Sequence, residues 1–266
     1  MLYKNAHSRA AFTVFGLVIM EVRMSFRQFF TWKYPLSSLF RTTAILGSSI
    51  LRLLLGRSLK YSFSFAGEDR IIEALLKAKI TEPGFYVDVG CNHPKFLSNT
   101  YGLYRKGWRG ICIDANSNLI RRYPFYRPKD KAVAALISDS KETRDFYYVE
   151  NDVLSTTELA FVEEYKKDGL AITAKKMVSQ TLTEALDDLQ APKKFELLSI
   201  DAEEHDLQVL RSLDFNAYQP RLIVVEDETY NPSYPERNAI YSLLAERGYF
   251  LEGYLLKNLY FLRQVQ

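Results

Sequence analysis

The chain has 266 residues, enough to bury the core of one full domain with an appendage. Because 35 lysines and arginines nearly balance 32 aspartates and glutamates, the charge gives no support for a general nucleic-acid binder. Both cysteines fall in or beside predicted buried strands, and the three histidines show no metal-ligand spacing. These patterns argue against a disulfide scaffold and against a zinc site.

The first 60 residues are predicted to form a basic, amphipathic helical extension. The apolar run at 11–20 is too short to span a bilayer, which takes about twenty residues. Residues 42–60 mix leucine and isoleucine with arginine and lysine, a pattern that suits an anionic membrane surface or packing on the catalytic domain or on a partner subunit. Met24 is an alternative start. We therefore predict domains at 1–60 and 61–266 in a cytoplasmic protein, with contact between residues 1–60 and the inner face of the membrane as one of these alternatives.

From Ser64 onward, helix and strand patterns alternate as in an α/β fold. The predicted helices lie at 70–79, 97–106, from 116, 158–167, 207–213 and 236–247. The predicted strands lie at 85–89, 109–113, 131–137, 146–149, 195–201, 221–226, 249–252 and 259–262, with the last two antiparallel.

Acidic residues end four of these strands, namely Asp88, Asp114, Asp201 and Glu226. In open parallel sheets, ligands bind beyond the carboxyl ends of the strands. If the four strands run parallel, their terminal carboxylates line one rim of the sheet. The pattern therefore predicts a ligand site there.

A single glycine, Gly90, follows the first strand, and the dinucleotide fingerprint Gly-x-Gly-x-x-Gly is absent. A pyrophosphate needs several glycines so that main-chain N–H groups can surround it, whereas S-adenosylmethionine has no phosphate. Asp114 ends the second strand, where it can accept hydrogen bonds from both ribose hydroxyls of an adenosine cofactor. The segment favours S-adenosylmethionine over NAD, and strand-end acids that merely cap helices are the alternative.

Four blocks of the sequence resemble the FkbM-type S-adenosylmethionine-dependent methyltransferases. They are Gly-Glu-Asp within 61–70, the core at 84–94 with 97–101 and 107–114, the Asp-x-Glu block at 198–206, and the strand at 221–226. One position departs, because Glu204 stands where the family usually has glycine. The resemblance implies a Rossmann-like class I methyltransferase fold, with a mostly parallel seven-stranded sheet, helices on both faces and an antiparallel C-terminal strand.

The resemblance also implies a set of cofactor-binding residues: Glu68, Asp88, Gly90, Asn92, Ser98, Asn99, Asp114 and Ala115. Asp114, with Ala115 beside it, is assigned to the ribose diol. Gly90 is assigned to a close approach of the backbone, and Asp88 to the orientation of that loop or to the cofactor's amino group.

Three side chains of this set are candidates for donors to the methionine carboxylate, which only accepts hydrogen bonds. Asn92, Ser98 and Asn99 hold this role, and capping of the following helix is their alternative. The Glu68–Asp69 pair is assigned either to the cofactor's amino group or to the cap of the helix at 70–79.

Methylation of an oxygen requires a general base, or a metal that lowers the pKa of the hydroxyl. His205 is the predicted base because it is mostly neutral at pH 7 and follows a strand end by a few residues. Asp201 and Glu203, with Glu226, are predicted to hold one tautomer of His205 or to bind a divalent cation. Carboxylates without histidine ligands suit Mg²⁺ or Mn²⁺ better than zinc.

The implied activity is O-methylation of a hydroxyl, with a sugar in a glycan, a surface polysaccharide or a glycosylated natural product as the acceptor. The expected partners are a glycan or small-molecule acceptor, a membrane surface through residues 1–60 and a second copy of the chain, without nucleic acid. Two alternatives stay open. One is a non-catalytic binding or scaffold protein that keeps the fold, and the other is an NAD-dependent sugar oxidoreductase.

Overall fold

A computed structural model describes residues 62–77, 82–149, 171–203 and 205–264, together with 162 and 166. The predicted extension at 1–60 and the family departure at Glu204 lie outside these residues. Most of the predicted helix at 158–167 does so as well. Within the described ranges, no helix is long and apolar enough to cross a membrane.

The described part of the chain alternates helices and strands. The helices are α1 (Glu68–Leu75), α2 (Tyr101–Arg105), α3 (Ser117–Ile120), α4 (Tyr123–Tyr126), α5 (Leu182–Asp188), α6 (Asp206–Arg211) and α7 (Ala239–Glu246), with a 3₁₀ turn at Pro235–Arg237. The strands are β1 (Phe85–Val89), β2 (Arg109–Asp114), β3 (Lys131–Ala134), β4 (Leu136–Ile137), β5 (Thr143–Val149), β6 (Ile172–Gln180), β7 (Lys194–Ile200), β8 (Gln219–Glu226), β9 (Tyr249–Leu255) and β10 (Asn258–Arg263).

Seven strands form one sheet in the order β3-β2-β1-β7-β8-β10-β9. The pairs β1–β2, β2–β3, β1–β7 and β7–β8 are parallel, and β10 is antiparallel to both of its neighbours. The predicted fold is confirmed: this is a Rossmann-like, mostly parallel seven-stranded sheet of the class I methyltransferase type with antiparallel strands at its C-terminal edge. The carboxyl ends of β1, β2, β7 and β8 meet at one rim.

Alternate residues of the central strands enter two separate hydrophobic clusters, because successive side chains of a strand point to opposite faces. Val87 and Val89 belong to one cluster, and Tyr86 belongs to the other. The central strands are therefore buried on both faces, as expected where helices cover both sides of a parallel sheet.

Two regular elements were not predicted. The strand β6 carries two lysines and is mostly exposed, so it lacks the apolar alternation that identifies a half-buried strand. It pairs with β4 and β5 in a separate three-stranded sheet, and for that reason the strand predicted at 131–137 divides into β3 and β4. The helix α5 begins after a capping box formed by Thr181 and Glu184, a signal that is readable from the sequence.

Candidate functional site

A cleft opens at the carboxyl ends of β1, β2 and β7 and contains about 700 Å³ of space, part of it open to solvent. It is lined by Val89, Gly90, Asn92, Ile113, Asp114, Ala115, Asn116, Leu119, Ala135, Leu136, Ile137, Phe146, Asp201, Ala202, Glu203, His205 and Val209. Seven of the predicted site residues are among them: Gly90, Asn92, Asp114, Ala115, Asp201, Glu203 and His205. The fold thus brings together side chains that are more than one hundred positions apart in the sequence.

Gly90 allows the turn after β1 to approach the turn after β7. Its φ is +73°, and a Cβ placed there would lie 1.7 Å from the main-chain oxygen of Asp201. Its N–H donates to the carbonyl oxygen of Ile113 at 2.9 Å, which ties the same turn to β2. No side chain other than hydrogen fits at this position. The structure thus shows a close approach of Gly90 to the backbone of the turn after β7, and the predicted approach to a cofactor stays a prediction.

Both carboxylate oxygens of Asp114 accept hydrogen bonds from the main chain of the cleft. One accepts from the N–H of Asn92 at 2.8 Å, and the other from the N–H of Asn116 at 2.7 Å. Burial raises the pKa of Asp114 to about 6, and these two donors oppose the rise. A carboxylate has about four acceptor positions, so each oxygen retains capacity for a further donor. Asp114 is thus fixed in place and still able to accept hydrogen bonds from a ligand.

The part of the cleft around Asp114 is apolar. Its walls are the side chains of Leu119, Ala135, Ile137 and Phe146. Ile137 and Phe146 are buried, and Phe146 contacts the ring of Tyr148 edge-on at 4.9 Å. This arrangement forms an apolar slot beside a hydrogen-bond acceptor, which is the environment that a flat heteroaromatic ring joined to a sugar requires.

The opposite part of the cleft is acidic. Asp201 and Glu203 line it, and Asp206 and Glu226 lie against them. Burial raises the pKa of Asp201 to about 8 and that of Glu203 to about 7, and mutual repulsion between the carboxylates adds to the rise. Burial has the same effect on Asp206 and Glu226, whose pKa values rise to about 7 and about 8.

A single ammonium group offsets part of this repulsion. Lys257, in the turn between β9 and β10, forms an ion pair with Glu226 and contacts Glu228 at 3.4 Å. Its positive charge lowers the pKa values of Asp201, Glu203 and Glu226 from what burial alone would give. Asp201 and Glu226 also share a hydrogen bond between their side chains. The lysine and this shared bond were not foreseen from the sequence.

His205, the predicted base, is 4% exposed and lies just before α6. Its Nε2 lies 3.0 Å from the hydroxyl oxygen of Ser138. The main-chain N–H of Ser138 donates to the carbonyl oxygen of Gln180, which joins this contact to the three-stranded sheet. The imidazole ring therefore has a defined orientation at the base of the cleft. Ser138 follows β4 and had no signal in the sequence that marked it as part of the site.

The remaining predicted residues lie outside the cleft lining. Asp88 is buried and accepts a hydrogen bond from the hydroxyl of Thr100 at 2.5 Å. Its pKa is raised to about 6, chiefly by burial. Ser98 Oγ accepts from the N–H groups of Thr100 and Tyr101, so it holds the start of α2. Asn99 donates to Ser199 at 3.3 Å. Their proposed contacts with a cofactor remain predictions.

The Glu68–Asp69 pair occupies the first turn of α1, and both side chains are buried. Asp69 accepts hydrogen bonds from the hydroxyl of Ser62 at 2.7 Å and from the N–H of Phe63 at 2.8 Å. Glu68 accepts from the N–H of Ala66 at 2.8 Å. In this structure the pair orders the segment that leads into α1. The N-cap residue of α1 is Gly67, without a side-chain cap, so the predicted capping role is not seen, and the contact with the cofactor's amino group stays a prediction.

A buried arginine forms a hydrogen bond with the loop between β1 and α2. Arg127 is 0% exposed, pairs with Asp130 at 2.7 Å and donates to the hydroxyl of Tyr86 at 2.9 Å and of Thr100 at 3.0 Å. Through Thr100 it is linked to Asp88. This network was not predicted, because a stretch rich in lysine and arginine normally indicates a solvated surface.

Across the described ranges, no group of three or more histidine, cysteine, aspartate or glutamate side chains has the geometry to hold a metal ion. Nothing in these ranges therefore supports the divalent cation that we considered from the sequence.

Comparisons with known proteins bear on the family to which this chain belongs. A search of curated proteins gives no match to this chain. Among solved structures, a TehB-like S-adenosylmethionine-dependent methyltransferase from Corynebacterium glutamicum is 12% identical, covers 84% of this chain and 100% of its own, and has a TM-score of 0.39. A precorrin-6y C5,15-methyltransferase from Geobacter metallireducens is 10% identical over 77% of this chain and 90% of its own, with a TM-score of 0.39.

A 1,6-didemethyltoxoflavin-N1-methyltransferase from Burkholderia thailandensis, solved with S-adenosylhomocysteine, is 11% identical over 86% of this chain and 91% of its own, with a TM-score of 0.38. The model of the methyltransferase FkbM domain matches residues 88–251, which is more than half of the chain and includes the end of β1 and all of β2, β7 and β8. The chain therefore belongs to the FkbM family of S-adenosylmethionine-dependent methyltransferases.

Proposed function

We propose that this methyltransferase transfers a methyl group to a hydroxyl oxygen, and that the hydroxyl belongs to a sugar of a glycan, a surface polysaccharide or a glycosylated natural product. The observation that carries the proposal is the division of one cleft into two chemically different parts. An apolar slot beside Asp114 is joined to an acidic part that contains Asp201, Glu203 and His205.

The residues present fit S-adenosylmethionine. The apolar slot suits an adenine ring, and Asp114 can accept hydrogen bonds from the ribose hydroxyls. The cofactor carries a positive sulfonium and an ammonium group, which the acidic part would stabilise. When bound, the cofactor supplies the methyl group and leaves as S-adenosylhomocysteine.

The acceptor hydroxyl must lose its proton as its oxygen bonds to the methyl carbon. We assign the base to His205, because an imidazole is mostly neutral near pH 7 and this ring is oriented by Ser138. The proton moves from the hydroxyl to the imidazole. Asp201 and Glu203 line the same cleft, and in their ionised forms they stabilise the positive charge that the imidazole gains.

We propose that the segment after Glu226 contributes to the binding of a sugar, because it carries an exposed tyrosine. Tyr230 of this segment is buried in the core and contacts Tyr254 of β9 with ring centroids 4.9 Å apart. Tyr234 is exposed and lies under the guanidinium of Arg237 at 4.4 Å. Tyrosine rings combine an apolar face with a polar hydroxyl, a combination that suits the mixed surface of a sugar ring.

The test is transfer of a labelled methyl group from S-adenosylmethionine to a panel of glycans by the full chain. An ether formed on a sugar hydroxyl resists mild alkali, whereas a methyl ester is hydrolysed, so alkali treatment identifies the methylated atom. We expect alkali-stable label on the sugar with the native chain and much less with Asp114→Asn. Alkali-labile label, or label on nitrogen, would refute oxygen methylation of a hydroxyl while leaving the family assignment intact.

A further inference from the structure

A surface of exposed aromatic and half-buried basic side chains adjoins the rim of the cleft and has no part in the chemistry proposed above. We call it the aromatic-basic surface and define it by His93, Lys95, Phe96, Arg122, Phe125 and Tyr126. It is formed by the loop after β1 and by the segment of α4. Phe125 is 89% exposed, Phe96 58% and Tyr126 43%. Large apolar side chains exposed together in this way usually mark an interaction site.

Ring contacts join His93, Phe96 and Tyr126, and Phe125 precedes Tyr126 in α4. The ring of His93 is 4.8 Å from that of Phe96 and 5.5 Å from that of Tyr126. The ammonium group of Lys95 lies over the Phe96 ring at 5.4 Å. Burial, with the nearby positive charges of Arg122 and Lys95, lowers the pKa of His93, so both cations lie close to the centre of the surface.

The charged residues of the surrounding sequence are almost all lysine and arginine. Between Asp88 and Asp130 the only acidic residue is Asp114, and its carboxylate is held in the cleft. Arg121 and Lys129, which flank α4, are exposed and add further positive charge. The surface is therefore apolar at its centre, and the chain segments that form it are rich in positive charge.

We infer that the aromatic-basic surface docks on an anionic lipid membrane, with Phe96 and Phe125 inserted at the level of the headgroups. Aromatic side chains favour the interface between water and lipid, and lysine and arginine are attracted by anionic headgroups. The complementary charge distinguishes this occupant from an uncharged apolar partner, and the proposal does not depend on the identity of the methyl acceptor.

The aromatic-basic surface lies next to the cleft, so docking at this surface brings the membrane close to the cleft. His93 follows Asn92, which lines the cleft, and its N–H donates to the Asn92 side chain at 2.7 Å. Leu119 of α3, a short distance before Arg122, lines the cleft as well. A membrane bound at this surface thus lies next to the rim of the cleft, where it would favour an acceptor carried on a lipid.

The first experiment measures sedimentation of the full chain with phosphatidylcholine vesicles, with and without phosphatidylglycerol. We expect binding that requires phosphatidylglycerol and weakens with salt. The double variant Phe96→Ser/Phe125→Ser should bind at least about tenfold more weakly, because two aromatic side chains no longer partition. The matched control is Phe250→Ser, which removes a 40% exposed phenylalanine from β9 at the opposite end of the sheet and should bind as the native chain does.

As a control, the affinity of each variant for S-adenosylhomocysteine is measured. Native affinity shows that the cleft of that variant is folded. Equal binding of the double variant and the native chain would overturn the proposal, because another part of the protein, such as residues 1–60, would then be the part that binds the membrane. Absence of vesicle binding by the native chain would overturn it too. So would self-association that the double variant abolishes without vesicles, since a second copy would then be the occupant.

The second experiment locates the contact directly. An environment-sensitive fluorophore is attached to Phe125→Cys or, as control, to Phe250→Cys, and the native cysteines Cys91 and Cys112 are buried and protected from labelling. Vesicles with phosphatidylglycerol should shift the emission of the probe at position 125 to the blue and leave the probe at position 250 unchanged. An unchanged spectrum at position 125 while the labelled protein sediments with vesicles would contradict the inference.

Discussion

The Cα of Gly90 lies so close to the main-chain oxygen of Asp201 that a Cβ at position 90 would come within 1.7 Å of it. This contact joins the turn after β1, which leads into the cofactor part of the cleft, to the turn after β7, which supplies the acidic part. The relative position of the two parts is therefore set by backbone packing.

Replacement of Gly90 by alanine should separate these two turns. The positive φ and the steric clash together should lower the free energy of unfolding by roughly 2–5 kcal/mol and abolish binding of S-adenosylhomocysteine. Thermal unfolding and calorimetry measure the two effects. Gly253→Ala is the matched control, because a Cβ there meets no atom within 4 Å and should change neither quantity. Native cofactor affinity in Gly90→Ala would show that the contact does not shape the cleft.

Replacement of His205 by glutamine should remove the general base without removing the cofactor site. We expect kcat to fall roughly 100- to 10,000-fold, with S-adenosylhomocysteine affinity within about threefold of native. Ser138→Ala should cause a smaller loss, since it removes only the partner that orients the ring. Steady-state kinetics with an acceptor found in the glycan screen provides the measurement. Unchanged kcat in His205→Gln would eliminate this residue as the base.

The acidic part of the cleft should make the cofactor-free protein less stable at higher pH. The pKa values of Asp201, Glu203, Asp206 and Glu226 are raised to about 7 or 8 in the folded state. Between about pH 4 and pH 8, the folded protein therefore binds more protons than the unfolded chain. The associated stabilisation is complete below about pH 4 and is lost as the pH rises through about 7 to 8.

Chemical denaturation at a series of pH values measures this loss, which we expect to amount to a few kcal/mol. The variant Asp201→Asn should flatten the curve because it removes one titrating group and its repulsion with Glu203. A native protein whose stability rises between pH 6 and pH 8 would contradict the assignment of raised pKa values.

Removal of the ammonium group of Lys257 should shift the pH dependence of activity. Its charge lowers the pKa values of Asp201 and Glu226, so Lys257→Met raises them further. The carboxylates that support the imidazolium then ionise at higher pH, and the acidic limb of log kcat/KM should move up by about one pH unit. Lys257→Arg, which retains the charge, should keep the native profile. An identical profile in Lys257→Met would exclude electrostatic coupling between the lysine and the reaction.

Much of the fold follows from local pattern. The strand β1 ends where its apolar run gives way to Gly90, and β2 ends at Asp114, so periodicity and turn residues locate both. The edge strand β6 could not be found in this way, because its packing is made with β4 and β5 and its own side chains are mostly exposed.

The site was predictable where strand ends bring residues to one rim, as with Asp114 and Asp201. It was not predictable where a distant segment completes the environment. Ser138 reaches His205 only because β4 leaves the main sheet to pair with β6, and Lys257 reaches Glu226 only because β10 returns antiparallel to β8. Asp88 was assigned as a strand-end acid, and its contact with a cofactor stays a prediction. The hydrogen bond that its carboxylate accepts from Thr100, in the buried network of Arg127, had no signal in the sequence.

The central claim is that the cleft between β1, β2 and β7 binds S-adenosylmethionine through Asp114. The most direct test is calorimetric titration of the full chain and of Asp114→Asn with S-adenosylhomocysteine, with NAD⁺ as the competing cofactor class. The account predicts micromolar affinity for S-adenosylhomocysteine, a loss of roughly 10- to 100-fold in Asp114→Asn and no binding of NAD⁺. Native affinity in a folded Asp114→Asn variant, or binding of NAD⁺ in place of S-adenosylhomocysteine, would contradict it.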